Sequence, residues 1–179
     1  MRRLLFVALL LAAASAAEAQ GIWLTAGVGT TFELNPATEP DETWLHYGDV
    51  VPSLALGLPV GEDVNVHLRA AELPYDEFYN GEAWPARINA YTVGAAYFFK
   101  GGLGRASITG GLGWYDLKLK AQTPPAGVEG GNFGWYVGVA EWYDMTGRVK
   151  AVLELILDYP GSEGNPMLLT ATLGVAVSF

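Results

Sequence analysis

The chain has 179 residues, with 10 Lys and Arg against 19 Asp and Glu for a formal net charge of −9, and no cysteine. That balance excludes a nucleic-acid partner, because binding a phosphate backbone needs concentrated Lys and Arg, and here they are scattered singly. The missing thiols exclude a disulfide framework and thiolate metal sites, and the length suits one domain.

Residues 1–19 read as a signal peptide. Arg2 and Arg3 form a basic start, an apolar run covers 4–14, and the small-residue stretch ends in Ala17-Glu18-Ala19. Cleavage after Ala19 removes two arginines and one glutamate, moves the net charge from −9 to −10, and leaves 20–179 as the mature domain. No later apolar run reaches the roughly eighteen residues a membrane helix needs, so strands alone could cross a bilayer.

The mature chain alternates with a period of two, which is the mark of strands. The first, about 22–32, sets Leu24, Ala26, Val28 and Phe32 against Thr25, Gly27, Gly29 and Thr31. In the second, about 50–60, Leu54, Leu56 and Leu58 oppose Ser53, Ala55 and Gly57. The third separates Val64, Val66 and Leu68 from Asn65, His67 and Arg69, and the fourth, about 87–99, sets Tyr91, Val93, Tyr97 and Phe99 against Thr92, Gly94 and Ala96. Ile108, Leu112 and Trp114 alternate with Ser107, Thr109, Gly111 and Gly113 in the fifth, whereas the sixth, about 133–143, carries aromatics on both faces. The seventh parts Val149, Leu153, Leu155 and Leu157 from Lys150, Glu154, Ile156 and Asp158; the eighth parts Leu173, Val175, Val177 and Phe179 from Thr170, Thr172 and Gly174.

Connections alternate short (60–63, 100–104, 144–147) and long (33–49, 73–86, 118–132, 159–166). Short periplasmic turns, long external loops and an even strand number are the rule for outer-membrane barrels. The expected fold is therefore all-β: an eight-stranded antiparallel up-and-down transmembrane β-barrel in a bacterial outer membrane. A soluble lipocalin-like barrel would alternate too, with its leucines turned inward. Aromatics clustered at strand ends, as in interfacial girdles, favour the membrane.

The last strand ends in Phe179, with Val177, Val175 and Leu173 on its face, and resembles the C-terminal signal read by the barrel assembly machinery. Together with Val139-Ala140-Glu141-Trp142, Val152-Leu153-Glu154 and the stretch from Met167-Leu168-Leu169 to Phe179, it resembles the last three strands of the OmpA-like outer-membrane β-barrel family. The resemblance implies a narrow barrel with a polar, side-chain-filled interior. It also implies inward carboxylates at Glu141 and Glu154, with Trp142 facing lipid. The chain stops at Phe179 without the peptidoglycan-binding domain of longer members, so cell-wall tethering is not expected.

Counting about five residues up the third and seventh strands puts Arg69 and Glu154 at similar depth across a narrow interior. They are expected to form a lumen ion pair, with His67, Lys150 and Glu141 as a lower layer that plugs conduction. Trp44, Tyr47, Tyr75, Phe78, Tyr79 and Trp84 are assigned to external loops as a contact surface for an extracellular ligand.

Neither His46, between Trp44 and Tyr47 in the first loop, nor His67 has a serine two residues away, as a lipid A deacylase motif would require, so no enzyme is expected. Glu39, Asp41, Glu42, Asp49, Glu72, Asp76, Glu77 and Glu82 make an acidic rim, read as solvated rather than metal-binding. No cofactor is expected. Lipid, lipopolysaccharide and the assembly machinery are the anticipated partners, and a surface platform the anticipated role. The alternative is a narrow channel of OmpW type for small or hydrophobic solutes, since Gly27, Gly29, Ala55, Gly57, Gly94, Gly111, Gly113 and Gly174 share one wall.

Overall fold

The computed structural model describes residues 21–34, 50–79, 82–100, 104–120, 129–161 and 167–179; the stretch 1–19, read from the sequence as a signal peptide, lies outside them. Eight strands follow in order: β1 (Trp23–Glu33), β2 (Val51–Pro59), β3 (Val64–Tyr79), β4 (Glu82–Lys100), β5 (Arg105–Leu119), β6 (Gly130–Thr146), β7 (Val149–Tyr159) and β8 (Leu168–Ser178). Each pairs antiparallel with its sequence neighbour, and β8 returns to β1 to close the barrel. Closure pairs Trp23 with Ser178 at one end and Glu33 with Leu168 at the other, so no sheet edge is left to hydrocarbon. The Phe179 amide extends that seam, donating to the Ile22 carbonyl at 3.0 Å.

A closed sheet must be staggered. From His67, register partners lead through Gly94, Gly111 and Tyr136 to Asp158 on β7. The opposite route runs through Gly57, Trp23 and Ser178 to Arg148. The two arrivals, 158 and 148, differ by ten residues, so the strands tilt and the interior is only wide enough for side chains.

The alternation sorts as the sequence indicates. Val28, Leu54, Tyr91, Val93, Ile108, Leu112, Trp114, Phe133, Val137, Val139, Leu153 and Leu173 stand exposed on the outer face, and Thr25, Thr31, Arg69, Thr92, Thr109, Asp158, Thr170 and Thr172 are buried within. The outer face is an apolar band. Tyr91, Trp114 and Phe133 are mutual register neighbours along one border, with Trp135 and Tyr159 packed at 5.5 Å beside them; Tyr97 and Phe99 mark the other. Beyond the first border the outward positions turn polar. Arg87 bridges Glu72 at 2.7 Å, and Lys118 stands 3.7 Å from Asp116.

Two expectations need correction. The second long connection is largely a hairpin, since β3 and β4 stay paired from Val64–Tyr97 up to Tyr79–Glu82. Its polar loop look comes from outward Glu72, Pro74 and Asp76, while the inward Leu73, Tyr75, Ala86 and Ile88 are buried. The phase of β6 is the reverse of that implied by the resemblance. Tyr136, Ala140 and Trp142 face the lumen, whereas Glu141 shares the outer face with Val137 and Val139 and receives a hydrogen bond from the Tyr143 hydroxyl. Period two allows no other outcome once Tyr136 is inside; Glu141 is tolerated outside because it lies at the polar end of the band.

Val137 lies mid-band, in register with Gly110 and Leu157. Val137→Arg should cost about 2–4 kcal/mol in urea unfolding from lipid vesicles, against about 0–1 for a charge at the rim. Equal costs would mean that the band does not face hydrocarbon. Deleting Phe179 removes the last amide of the seam and should lower the folded, heat-modifiable fraction recovered in outer membranes; an unchanged yield would detach this residue from assembly.

Candidate functional site

The lumen is built in three layers. Towards the long loops it is a mainly apolar core of Val51, Leu73, Tyr75, Ile88, Leu117 and Leu168, with Trp84 packed on it and Glu33 buried beside Leu168. Below this lies a polar belt, and nearest the short turns an aromatic chamber.

Arg69 anchors the belt. Its Nη1 and Nη2 donate to Asp158 Oδ1 and Oδ2 at 2.8 and 3.1 Å, a bidentate pair with side-chain exposures of 4% and 0%. The Tyr115 hydroxyl donates to Asp158 Oδ1 at 2.9 Å. The guanidinium carbon sits 5.7 Å from the centroid of the Tyr136 ring. Tyr136 reaches along its own register row, over Gly111 and Gly94, so that its hydroxyl meets His67 Nε2. A β-carbon at either glycine would strike that tyrosine. Thr109 Oγ1 lies 3.2 Å from the same imidazole nitrogen.

The predicted network therefore divides. Arg69 and His67 stand on adjacent inward positions, but the hydrogen-bonded partner of Arg69 is Asp158, not Glu154. Glu154 instead accepts from its cross-strand neighbour Thr172 at 3.2 Å. Periodicity puts both carboxylates on one face; the belt selects Asp158 because the Tyr115 hydroxyl and Tyr136 ring converge there. Lys150 is no partner of His67: it meets Asp144 at the short-turn end and lies 5.5 Å from the Trp23 ring centroid. Glu141 is outside the lumen altogether.

The loop assignments divide similarly. Tyr75 is 4% exposed inside the barrel and Trp84 packs on the same core, so neither is a free loop aromatic. Phe78 and Tyr79 fall at the end of β3 with side chains outside the described set, as are Trp44, Tyr47 and His46. Leu173, Val175, Val177 and Phe179 occupy the outward positions of β8 and its end. Among the described residues no three His, Asp or Glu side chains group as metal ligands. Sequence reasoning missed Asp158 as the arginine's partner and Tyr136 as the cover over the glycines. The glycines at 94 and 111 were themselves the signal, since small inward residues in register call for a large neighbour.

Removing one partner of a buried pair leaves the other charged and unpaired, at about 3–5 kcal/mol. Arg69→Ala and Asp158→Ala should each cost that much in lipid-based urea unfolding, and the double variant clearly less than their sum; Glu154→Gln should cost about 1 kcal/mol. Additive single effects would dissolve the pair.

No protein-family model and no curated relative matches the sequence. Solved structures do match in fold. The N-terminal β-barrel domain of Pseudomonas aeruginosa OprF aligns with TM-score 0.59 at 16% identity, covering 89% of this chain and 100% of that one. Neisserial surface protein A gives 0.61 at 12%, covering 88% and 97%. A major outer membrane protein from Thermus thermophilus gives 0.59 at 14%, covering 89% and 98%. With its closed antiparallel sheet and apolar outer band, the chain has the fold of the small eight-stranded outer-membrane β-barrels with which it aligns.

Proposed function

We propose that this barrel is a structural and surface-interaction protein with a plugged lumen, not a conduit and not an enzyme. The observation that carries the reading is the filled cross-section: the Arg69–Asp158 pair and Tyr136 span the belt, and the apolar core lies beyond them. Eight strands leave little room to spare. The competing channel reading needs an open glycine wall, and Tyr136 covers Gly94 and Gly111. Further support comes from β3 and β4, which continue past the aromatic border as a hairpin with polar outward residues, a stiff mount for the loops. The partners that suit this reading are outer-membrane lipid and lipopolysaccharide, the barrel assembly machinery, and an extracellular ligand at the loops. An enzyme reading gains nothing from His67, whose described partners are the hydroxyls of Tyr136 and Thr109 inside the belt.

Refolded protein in planar lipid bilayers should give no resolved conductance steps, and Tyr136→Ala, which uncovers the two glycines but leaves the apolar core beyond the belt in place, should stay silent as well. Reproducible steps from the unaltered barrel would return the function to a narrow channel.

A further inference from the structure

The outer wall of the barrel is not uniformly smooth. Two register rows run side by side across it, Leu24, Leu56, Leu68, Val93 and Leu112 along one and Leu54, Ala70, Tyr91, Trp114 and Phe133 along the other. Together they line an apolar groove of about 790 Å³, within the range of about 300–1,000 Å³ typical of small-ligand sites. Leu54, Tyr91 and Phe133 stand 50%, 58% and 62% exposed along it, whereas Leu56, Leu68 and Ala70 are only partly exposed. The dip falls where Ala70 separates Leu54 from Tyr91 in register, and the inward-turned Arg69, Thr92 and Gly113 form its floor.

Its dimensions and depth narrow the occupant. From Leu24 on β1 to Phe133 on β6 the groove crosses five strand-to-strand steps, roughly 24 Å at about 4.8 Å each, more than half of the roughly 30 Å hydrocarbon core. A whole acyl chain of one leaflet therefore fits. Tyr91, Trp114 and Phe133 form the border on the long-loop side, so the groove opens towards the headgroups of the external leaflet. Beyond that border Arg87 is already paired with Glu72 and Lys118 with Asp116, which leaves recognition to the chain and not to headgroup charge. A second copy of the barrel fits less well. In a bilayer apolar faces gain nothing on each other over lipid, and close association needs small residues at the contact, whereas Leu54 and Tyr91 flank Ala70 on both sides.

We propose that this groove seats one acyl chain of an external-leaflet lipid as a bound ligand. The chain lies over Leu56, Leu68 and Ala70 and is touched on both flanks, where a smooth wall would touch it only from beneath; individually small dispersion contacts then add up. The inference names the lipid partner of the proposed function, and it rests on the outer-membrane reading but not on the plug. A barrel that stays out of membranes overturns both, whereas a membrane-inserted, silent barrel that seats no lipid overturns only the present inference.

The test is native mass spectrometry of the refolded barrel in octyl glucoside micelles, titrated with dimyristoyl phosphatidylcholine. A single lipid adduct is expected to form at low lipid-to-protein ratio, before any further ones. Ala70→Phe, which fills the dip, should weaken that adduct about tenfold through lost chain contacts, while Ala171→Phe, at an outward position of β8, should leave it unchanged, both variants being shown to be folded by heat-modifiable mobility. On the unaltered protein, one equivalent of the same lipid with a mid-chain diazirine should label β2, β3 and β4 several-fold more than β7 and β8. No adduct, a statistical ladder of adducts equal in all three proteins, or labelling spread evenly around the wall would overturn the proposal. The labelling pattern decides even where a variant fails to fold.

Discussion

In hydrocarbon an unpaired amide has nowhere to turn, and this constraint organises the molecule through the seam of β1 with β8. Once Trp23–Glu33 must lie along Leu168–Ser178, the sheet has to curl and its strands must stagger. The stagger narrows the interior and carries each register row obliquely around it. Tyr136 and His67 are three strands apart in the sheet, yet they meet because they belong to one such row and only glycines stand between them. The belt is thus a product of closure as much as of the residues that form it.

The interior grades from mainly apolar to polar to aromatic along the barrel axis. The apolar layer coincides with the part of β3–β5 that continues beyond the aromatic border, where the outside turns to Glu72, Arg87, Asp116 and Lys118. There the barrel behaves as a water-soluble protein does, polar outside and apolar within. In the bilayer the order is inverted, with leucines and valines outward and threonines, an arginine and an aspartate inward. Both regimes use the same strands, and the switch occurs within a few residues of Tyr91 and Trp114.

Strand number, antiparallel order and most inward and outward assignments were legible because a period of two survives any tertiary context in a barrel wall. Three features were not. The β3–β4 extension was read as a loop, since outward Glu72, Pro74 and Asp76 mask the inward run of Leu73 and Tyr75. The phase of β6 could not come from hydrophobicity when both faces hold aromatics; Trp142 turns in together with Tyr136 by period two, and its indole donates to Ser107. The choice of Asp158 over Glu154 depends on convergence across the lumen, which one-dimensional depth counting does not contain. The aromatic chamber escaped for the same reason, as Trp23, Phe98 and Trp142 come from three separate strands.

The unequal length of the strand pairings bears on the order in which the barrel can form. β3 and β4 share a ladder that runs from Tyr79–Glu82 down to Val64–Tyr97, so its first rungs close a very short loop and each later rung adds little further entropy cost. The β1–β8 seam joins residues as far apart as Trp23 and Ser178 and gains nothing until the intervening strands have bent round. Contact-order reasoning therefore places the long hairpin first and the seam last. A chain arrested before that final step would present two bare strand edges, β1 and β8, and the outward valines and leucine of β8 would lie beside an open backbone ladder.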